Sequence, residues 1–275
     1  MIMGHTGAVN AGPTVAWLLG VASERHMNDH ERYLFDLQGY ITIPDALDAK
    51  RLDDLNDVLD RQIEEAVNPH VGTHRFTELL GWGQPYLELI DIPTVAPYLE
   101  ELLGPKFRLD HTYLDIIRSG LGPIGATLHG GAEPFDPLSY FRFSSGRMYN
   151  GLSVVAFNLA DVNPGDGGFG CITGSHKSNL PFPSEWKDLT DPHPAVTRVV
   201  GPAGTAVLFT EALTHGSLPW TADHERRTIF YKYSPHPLAW WAEYPTPEGL
   251  EGLTDRQRAI LEGPNARYEH RPDRT

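Results

Sequence analysis

The sequence predicts a mainly β fold with flanking helices, a double-stranded β-helix of the jelly-roll, cupin-like kind. Three observations carry this. Beyond Phe107 the apolar period changes from helical to alternating. The alternating stretches are short and separated by Gly, Pro or Asp, in a chain with 27 Gly and 23 Pro. Histidines stand at predicted strand ends, where such a fold gathers side chains into its mouth.

The elements follow in order. Residues 1–26 read as a flexible N-terminal extension preceding one catalytic domain over 27–275. The apolar run Val15–Ala22 is too short to span a bilayer, and no Lys or Arg precedes it as a signal peptide requires. Asn28 with Glu31 forms a capping box, Leu34 and Leu37 give an apolar stripe, and Gly39 closes a short helix. Tyr40–Pro44 reads as a strand. A helix over Asp48–Val67 carries Leu52, Leu55, Leu59, Ile63 and Ala66 on one face, and another helical piece stops at Leu103 before Gly104-Pro105. Strands are expected at Arg108–Ile117, Gly151–Leu159, Phe169–Thr173, Thr197–Val200, Thr205–Thr210 and Thr228–Tyr233. A capped helix over Thr254–Leu261 precedes a loose tail from Arg267.

Composition narrows the function classes. A net charge of −14 argues against a nucleic-acid polymer as partner, since wrapping one needs a basic footprint. It leaves small anions open. A single cysteine, Cys171, forms no internal disulfide, so a cytoplasmic setting is the default and the residue reads as core packing. Oligomeric state is not legible.

The chemistry lies in Leu128-His129-Gly130-Gly131, Thr214-His215-Gly216-Ser217 and Arg226-Arg227. Two neutral imidazoles and a downstream arginine are most of what a non-haem Fe(II) site with a 2-oxo-acid co-substrate needs. Where a facial triad would place its acid, Gly131 stands. By strand alternation only one of Arg226 and Arg227 enters the site. His176 reads as structural, His70 and His74 as loop residues, and His224 and His236 show no partner in the sequence.

These motifs, with Asn163-Pro164-Gly165-Asp166-Gly167-Gly168-Phe169, Gly174-Ser175-His176-Lys177 and the His215-to-Arg226 interval, resemble the phytanoyl-CoA dioxygenase family of Fe(II)/2-oxoglutarate enzymes over about Met27 to His236. The resemblance implies His129 and His215 as iron ligands, and Arg226 with Ser217 on the distal carboxylate of 2-oxoglutarate. The His-x-Gly departure is similar to the halogenases of that chemistry. It implies chloride bound to iron in the space left by Gly131, with O2 consumed and succinate and CO2 released. Two rivals stand beside this: a hydroxylase with Glu133 as third ligand, and a non-catalytic relative that binds iron or 2-oxoglutarate. Phe141, Arg142, Arg147 and Tyr149 form the expected substrate wall. Likeness to nucleoside-antibiotic halogenases implies a small-molecule substrate, ranked first as a purine nucleoside 5′-monophosphate met by arginine.

Overall fold

The computed structural model describes residues 26–68, 70–120 and 126–266. The expected N-terminal extension up to residue 25 and the tail from Arg267 lie outside the described residues. The helices are α1 (Asp29–Gln38), α2 (Ala49–Ala66), α3 (Gln84–Leu87), α4 (Ala96–Leu103) and α5 (Asp255–Ile260). The strands are β1 (Tyr40–Ile43), β2 (Thr73–Phe76), β3 (Arg108–Ile117), β4 (Phe141–Ser144), β5 (Arg147–Asn150), β6 (Ser153–Asn158), β7 (Gly168–Ile172), β8 (Val196–Arg198), β9 (Ala206–Thr210), β10 (His215–Leu218) and β11 (Arg226–Ser234).

Local signals explain most helix ends. The Asn28 side chain accepts from the Glu31 amide at 3.0 Å while Glu31 accepts from the Asn28 amide at 2.8 Å. Gly39, at φ 82°, ends α1 in the left-handed region. The Asp48 side chain caps α2, whose Leu55, Val58 and Leu59 are buried. One expectation is corrected here. Leu34 and Leu37 stay exposed, and α1 is anchored by Phe35 instead, because the helix meets the body through that single face.

The larger sheet has the order β1-β9-β6-β11-β3-β2 and the smaller β10-β7-β8, with β4-β5 as a separate hairpin. The pairings are antiparallel. Alternation gives the large sheet two apolar faces. Ile229 and Tyr231 of β11, Leu114 and Ile116 of β3, and Val155 and Phe157 of β6 join the helices in the main core. Val154, Ala156, Val207, Phe209 and Phe230 point the other way, onto Phe169 and Cys171 of the small sheet. A bulge at Asp110 shifts the β3–β11 register, so Leu109 also joins the helix-side core. Buried tyrosines satisfy carbonyls of the turns beneath: Tyr231 donates to Tyr86 O at 2.6 Å, and Tyr233 to Leu89 O at 3.1 Å. Two-layer packing with helices backing the larger sheet agrees with the expected mainly β fold with flanking helices. Among the described residues, no helix is long and apolar enough to cross a membrane.

Two segments depart from expectation. His74 lies on β2, the edge strand beside β3, and not in a loop. Part of the aromatic stretch after His129 pairs into the β4–β5 hairpin. Both are short strands set by their partners, a tertiary effect that a four-residue window does not display.

His176 is structural in its contacts. Its Nε2 donates to Asp36 O at 3.0 Å, Phe141 packs edge-on at 4.5 Å, and a Cβ on Gly39 would stand 2.6 Å from its Nδ1. Burial pushes its pKa down to about 4 from the ordinary 6.5. The fold thus holds the neutral ring. As pH falls below 6.5 the unfolded chain takes up a proton that the folded chain refuses until about pH 4. Stability from this group is therefore full above pH 6.5 and is lost towards pH 4, by an amount on the order of 3 kcal/mol. Urea unfolding at pH 7 and pH 4.5 should show a shallower loss in His176→Gln than in the wild type; equal losses would place the pH dependence elsewhere.

Candidate functional site

A cavity of about 820 Å³ opens between the two sheets. Both histidines expected in the site line it. His129 and His215 face each other across an isolated antiparallel bridge, each amide donating to the other's carbonyl at 2.9 Å. Bridge partners share a face, so the rings lie side by side with centroids 4.3 Å apart. Glycines permit this approach. A Cβ on Gly216 would stand 2.6 Å from Thr127 O, and one on Gly130 would stand 2.7 Å from Leu213 O and 2.8 Å from Glu211 O.

The two rings are oriented by the same device. His215 Nδ1 donates to Leu213 O at 2.7 Å and His129 Nδ1 to Thr127 O at 3.2 Å, each to the carbonyl two residues back. A carbonyl only accepts, so these bonds place the proton on Nδ1 and leave each Nε2 as a bare lone pair. Burial, with the neighbouring His129, holds the His215 pKa down to about 4, against an opposing pull from Glu211. A neutral imidazole with Nδ1 anchored is the usual form of a metal-bound histidine. Among the described residues no group of three or more His, Cys, Asp or Glu side chains is placed to hold a metal ion.

Arg226 and Ser217 line the same cavity. Arg226 is 4% exposed and donates through Nη1 to Ser217 Oγ at 3.0 Å, while its Nε has no partner. No carboxylate pairs with it among the described residues. Asp115, whose charge it feels, is held by Arg75 through two bonds of 2.7 Å. Burial lowers the Arg226 pKa, the mark of a cation short of counter-charge. A buried guanidinium with an idle donor fits an incoming carboxylate. Arg227 takes the opposite face, pairing with Asp60 and Glu225 at 2.8 Å and 3.0 Å.

Other expected residues lie elsewhere. Gly131, at φ 122°, is not part of the cavity wall, and a Cβ there would stand 3.0 Å from Thr214 Oγ1. Glu133 is exposed and likewise outside the wall. Phe141, Arg142, Arg147 and Tyr149 sit on the β4–β5 hairpin, where Phe141 packs on His176 and Arg147 leans over Tyr149; none lines the cavity.

The wall contains residues that the sequence reading missed. His111, Tyr113 and Asp115 of β3 alternate towards it, as do Phe230 and Lys232 of β11. Trp240 and Trp241 stand at the mouth, both half-exposed. Asp110, the bulge residue, places them by accepting from their amides at 2.7 Å and 3.2 Å. The alternation of His111, Tyr113 and Asp115 with Leu114 and Ile116 in the second half of β3 is the signal that could have found this set. Glu211 is a buried acid in an apolar run, between Phe209 and Leu213. Its Oε1 receives Lys232 Nζ at 2.5 Å and its Oε2 stands 3.9 Å from His215 Nε2. Burial would raise its pKa, but Lys232 and His215 outweigh that and hold it down to about 2.

Comparison with known proteins agrees with this architecture. The model of the family Phytanoyl-CoA dioxygenase (PhyH) matches residues 135–228, about a third of the chain, a stretch that includes His215, Ser217 and Arg226 but not His129. No curated protein matches the chain. The crystal structure of HygX from Streptomyces hygroscopicus with nickel and 2-oxoglutarate bound is similar in fold, at 22% identity and TM-score 0.69, covering 78% of this chain and 89% of that one. Its form with nickel, 2-oxoglutarate and hygromycin B bound gives 23% identity and TM-score 0.68, over 82% and 94%. The epimerase SnoN from nogalamycin biosynthesis, described as non-heme and alpha ketoglutarate dependent, gives 17% identity and TM-score 0.54, over 74% and 81%.

The unpaired charge of Arg226 should cost stability. Arg226→Met, which fills similar volume without charge, is expected to keep or raise the urea midpoint, whereas Lys232→Met strands the Glu211 carboxylate and should cost about 3–5 kcal/mol. A clear loss of stability in Arg226→Met would show that the guanidinium supports the fold.

Proposed function

We propose that this protein is a non-haem Fe(II)/2-oxoglutarate-dependent oxidoreductase acting on a C–H bond of a small molecule. The observation that carries this is the pair of bare Nε2 atoms on His129 and His215 in the same cavity wall as a buried Arg226 that lacks a counter-charge. These groups fit a divalent cation and a dicarboxylate respectively. The shared fold of HygX, seen with nickel and 2-oxoglutarate bound and separately with iron bound, supports the same reading.

In this reading iron supplies the redox chemistry: O2 and 2-oxoglutarate give succinate and CO2, and the substrate C–H gains one oxygen atom. The protein does the rest. His129 and His215 would hold the metal through Nε2, with the Nδ1 bonds keeping both rings in one tautomer. Arg226 and Ser217 would hold the distal carboxylate and so orient the 2-oxo acid group. Phe169, Phe209 and Phe230 line the inner wall and exclude water, and the two tryptophans close the outer side.

A finer reading, chlorination, is favoured by the glycine two residues after His129. It needs chloride on the metal, and it balances as C–H, chloride, a proton, O2 and 2-oxoglutarate giving C–Cl, water, succinate and CO2. Gly131 also has a backbone reason to be glycine, its left-handed φ. Mass spectrometry of products formed with and without chloride separates the two: oxygenated product in both supports hydroxylation, and chlorinated product only with halide supports chlorination.

Support for a nucleotide substrate is weaker in three dimensions. Arg142 and Arg147 lie outside the cavity, Arg75 is committed to Asp115, and Lys232 to Glu211. No free cation remains in the described wall for a phosphate once Arg226 serves the co-substrate. A purine nucleoside 5′-monophosphate is therefore expected to bind no more tightly than its nucleoside by calorimetry; a tenfold preference for the phosphate would restore the nucleotide.

The function itself is tested through the co-substrate. Arg226→Ala should raise the 2-oxoglutarate dissociation constant by about 30-fold or more, the loss of a desolvated charge-assisted pair of about 2–5 kcal/mol. Metal affinity should be retained. Arg227→Ala should leave 2-oxoglutarate binding unchanged. Unaltered 2-oxoglutarate binding in Arg226→Ala, or no binding by the metal-loaded wild type, would overturn the proposal.

A further inference from the structure

We propose that Glu211 is the third protein ligand of the metal, so that the carboxylate absent after His129 comes from the turn between β9 and β10. The inference rests on the Fe(II)/2-oxoglutarate reading above and deepens it.

Glu211 and His215 stand four residues apart across a tight turn, with Glu211 Oε2 3.9 Å from His215 Nε2. Nδ1 of His215 already gives its proton to Leu213 O, so Nε2 carries no hydrogen. Two acceptors therefore face each other in a buried setting with neither a proton nor a hydrogen bond between them. Such an arrangement is electrostatically unfavourable by itself and becomes favourable with a cation between the lone pairs. Neighbouring donors around a six-coordinate ion stand about 3 Å apart, so a side-chain adjustment of roughly 1 Å brings Glu211 Oε2 and His215 Nε2 to that spacing; His129 reaches the same ion from across the bridge only if its ring shifts with them. Lys232 does not compete for that oxygen. Its ammonium grips Oε1, which leaves Oε2 for the metal and fixes the carboxylate plane.

The backbone explains why the acid moved. Gly131 has a left-handed φ of 122°, its Cβ direction runs into Thr214 Oγ1, and it does not face the cavity. An acid at that position would be strained, with its Cβ 3.0 Å from Thr214 Oγ1. The neighbouring Gly130 lets the His129 segment settle directly on the backbone carbonyl of Glu211, 2.8 Å from where a Cβ would be. Residues from 129 and 211 are thereby brought to one point without a carboxylate at 131. With three protein ligands, two positions for 2-oxoglutarate and the last needed for O2, a six-coordinate ion would have no position for chloride. The inference therefore selects oxygenation over chlorination.

The test uses Mn(II) alone, titrated by calorimetry into the full-length chain freed of metal, and the absorption spectrum of the Co(II)-loaded protein. Glu211→Gln should weaken Mn(II) binding about tenfold or more and alter the Co(II) bands at saturation, because one ligand has changed. Glu133→Gln should change neither. An unaltered spectrum with weaker binding would mean that Glu211 only positions His215, and wild-type affinity would mean that it plays no part; either overturns the inference while leaving the function intact. If His129→Ala and His215→Ala also bind Mn(II) as the wild type does, the proposed function itself fails. Should Glu211→Gln unfold, Glu211→Gln with Lys232→Met removes the stranded ammonium, and the same two readouts decide on that variant.

Discussion

Everything in this site depends on one reciprocal pair of backbone hydrogen bonds. His129 and His215 exchange amide and carbonyl at 2.9 Å, a bridge outside the regular sheets. It brings a segment from before the β4–β5 hairpin against the start of β10, and puts two imidazoles on one face. Glycines on both sides make the approach sterically possible. Gly130 lies against the 211–213 backbone and Gly216 against Thr127, at distances no Cβ tolerates. The bridge is what sets the two imidazoles against each other and the His129 segment onto the Glu211 turn.

Around that bridge the charges are arranged for ligands more than for stability. Arg75 with Asp115 and Lys232 with Glu211 are neutralised pairs, whereas Arg226 is left with an idle Nε in the cavity wall. A buried uncompensated cation is costly in the free protein and becomes favourable when a carboxylate arrives. The bulge at Asp110 acts in the same sense. It interrupts a regular ladder and uses the freed carboxylate to fix the backbone of Trp240 and Trp241 at the mouth.

The resemblance and the geometry also differ in an instructive way. The motif order pointed to the residue two after His129 as the place for an acid or a halide. In the folded chain that residue is defined by its left-handed backbone and faces Thr214. Its spacing along the chain was informative about the family pattern, but spacing does not give direction. Arg142 and Arg147 show the same limit: they follow the histidine in sequence, yet the hairpin carries them away from the cavity.

By itself the sequence determined the period of each long element and its caps, and it singled out His129, His215, Ser217 and Arg226, which line the cavity. α1 with its Asn28–Glu31 box, α2, β3 and β9 follow from local periodicity and side-chain-to-backbone bonds, which act over a few residues. Alternation likewise separates Arg226 from Arg227, because neighbours in a strand must face opposite sides. Tertiary structure alone decided what meets across long separations: Arg75 on Asp115, Asp110 on the 240–241 backbone, and Glu211 between Lys232 and His215. These contacts depend on register, a bulge and glycine-permitted approaches. A one-residue shift in any of them would turn each side chain to the other face while leaving the local pattern of the sequence unchanged.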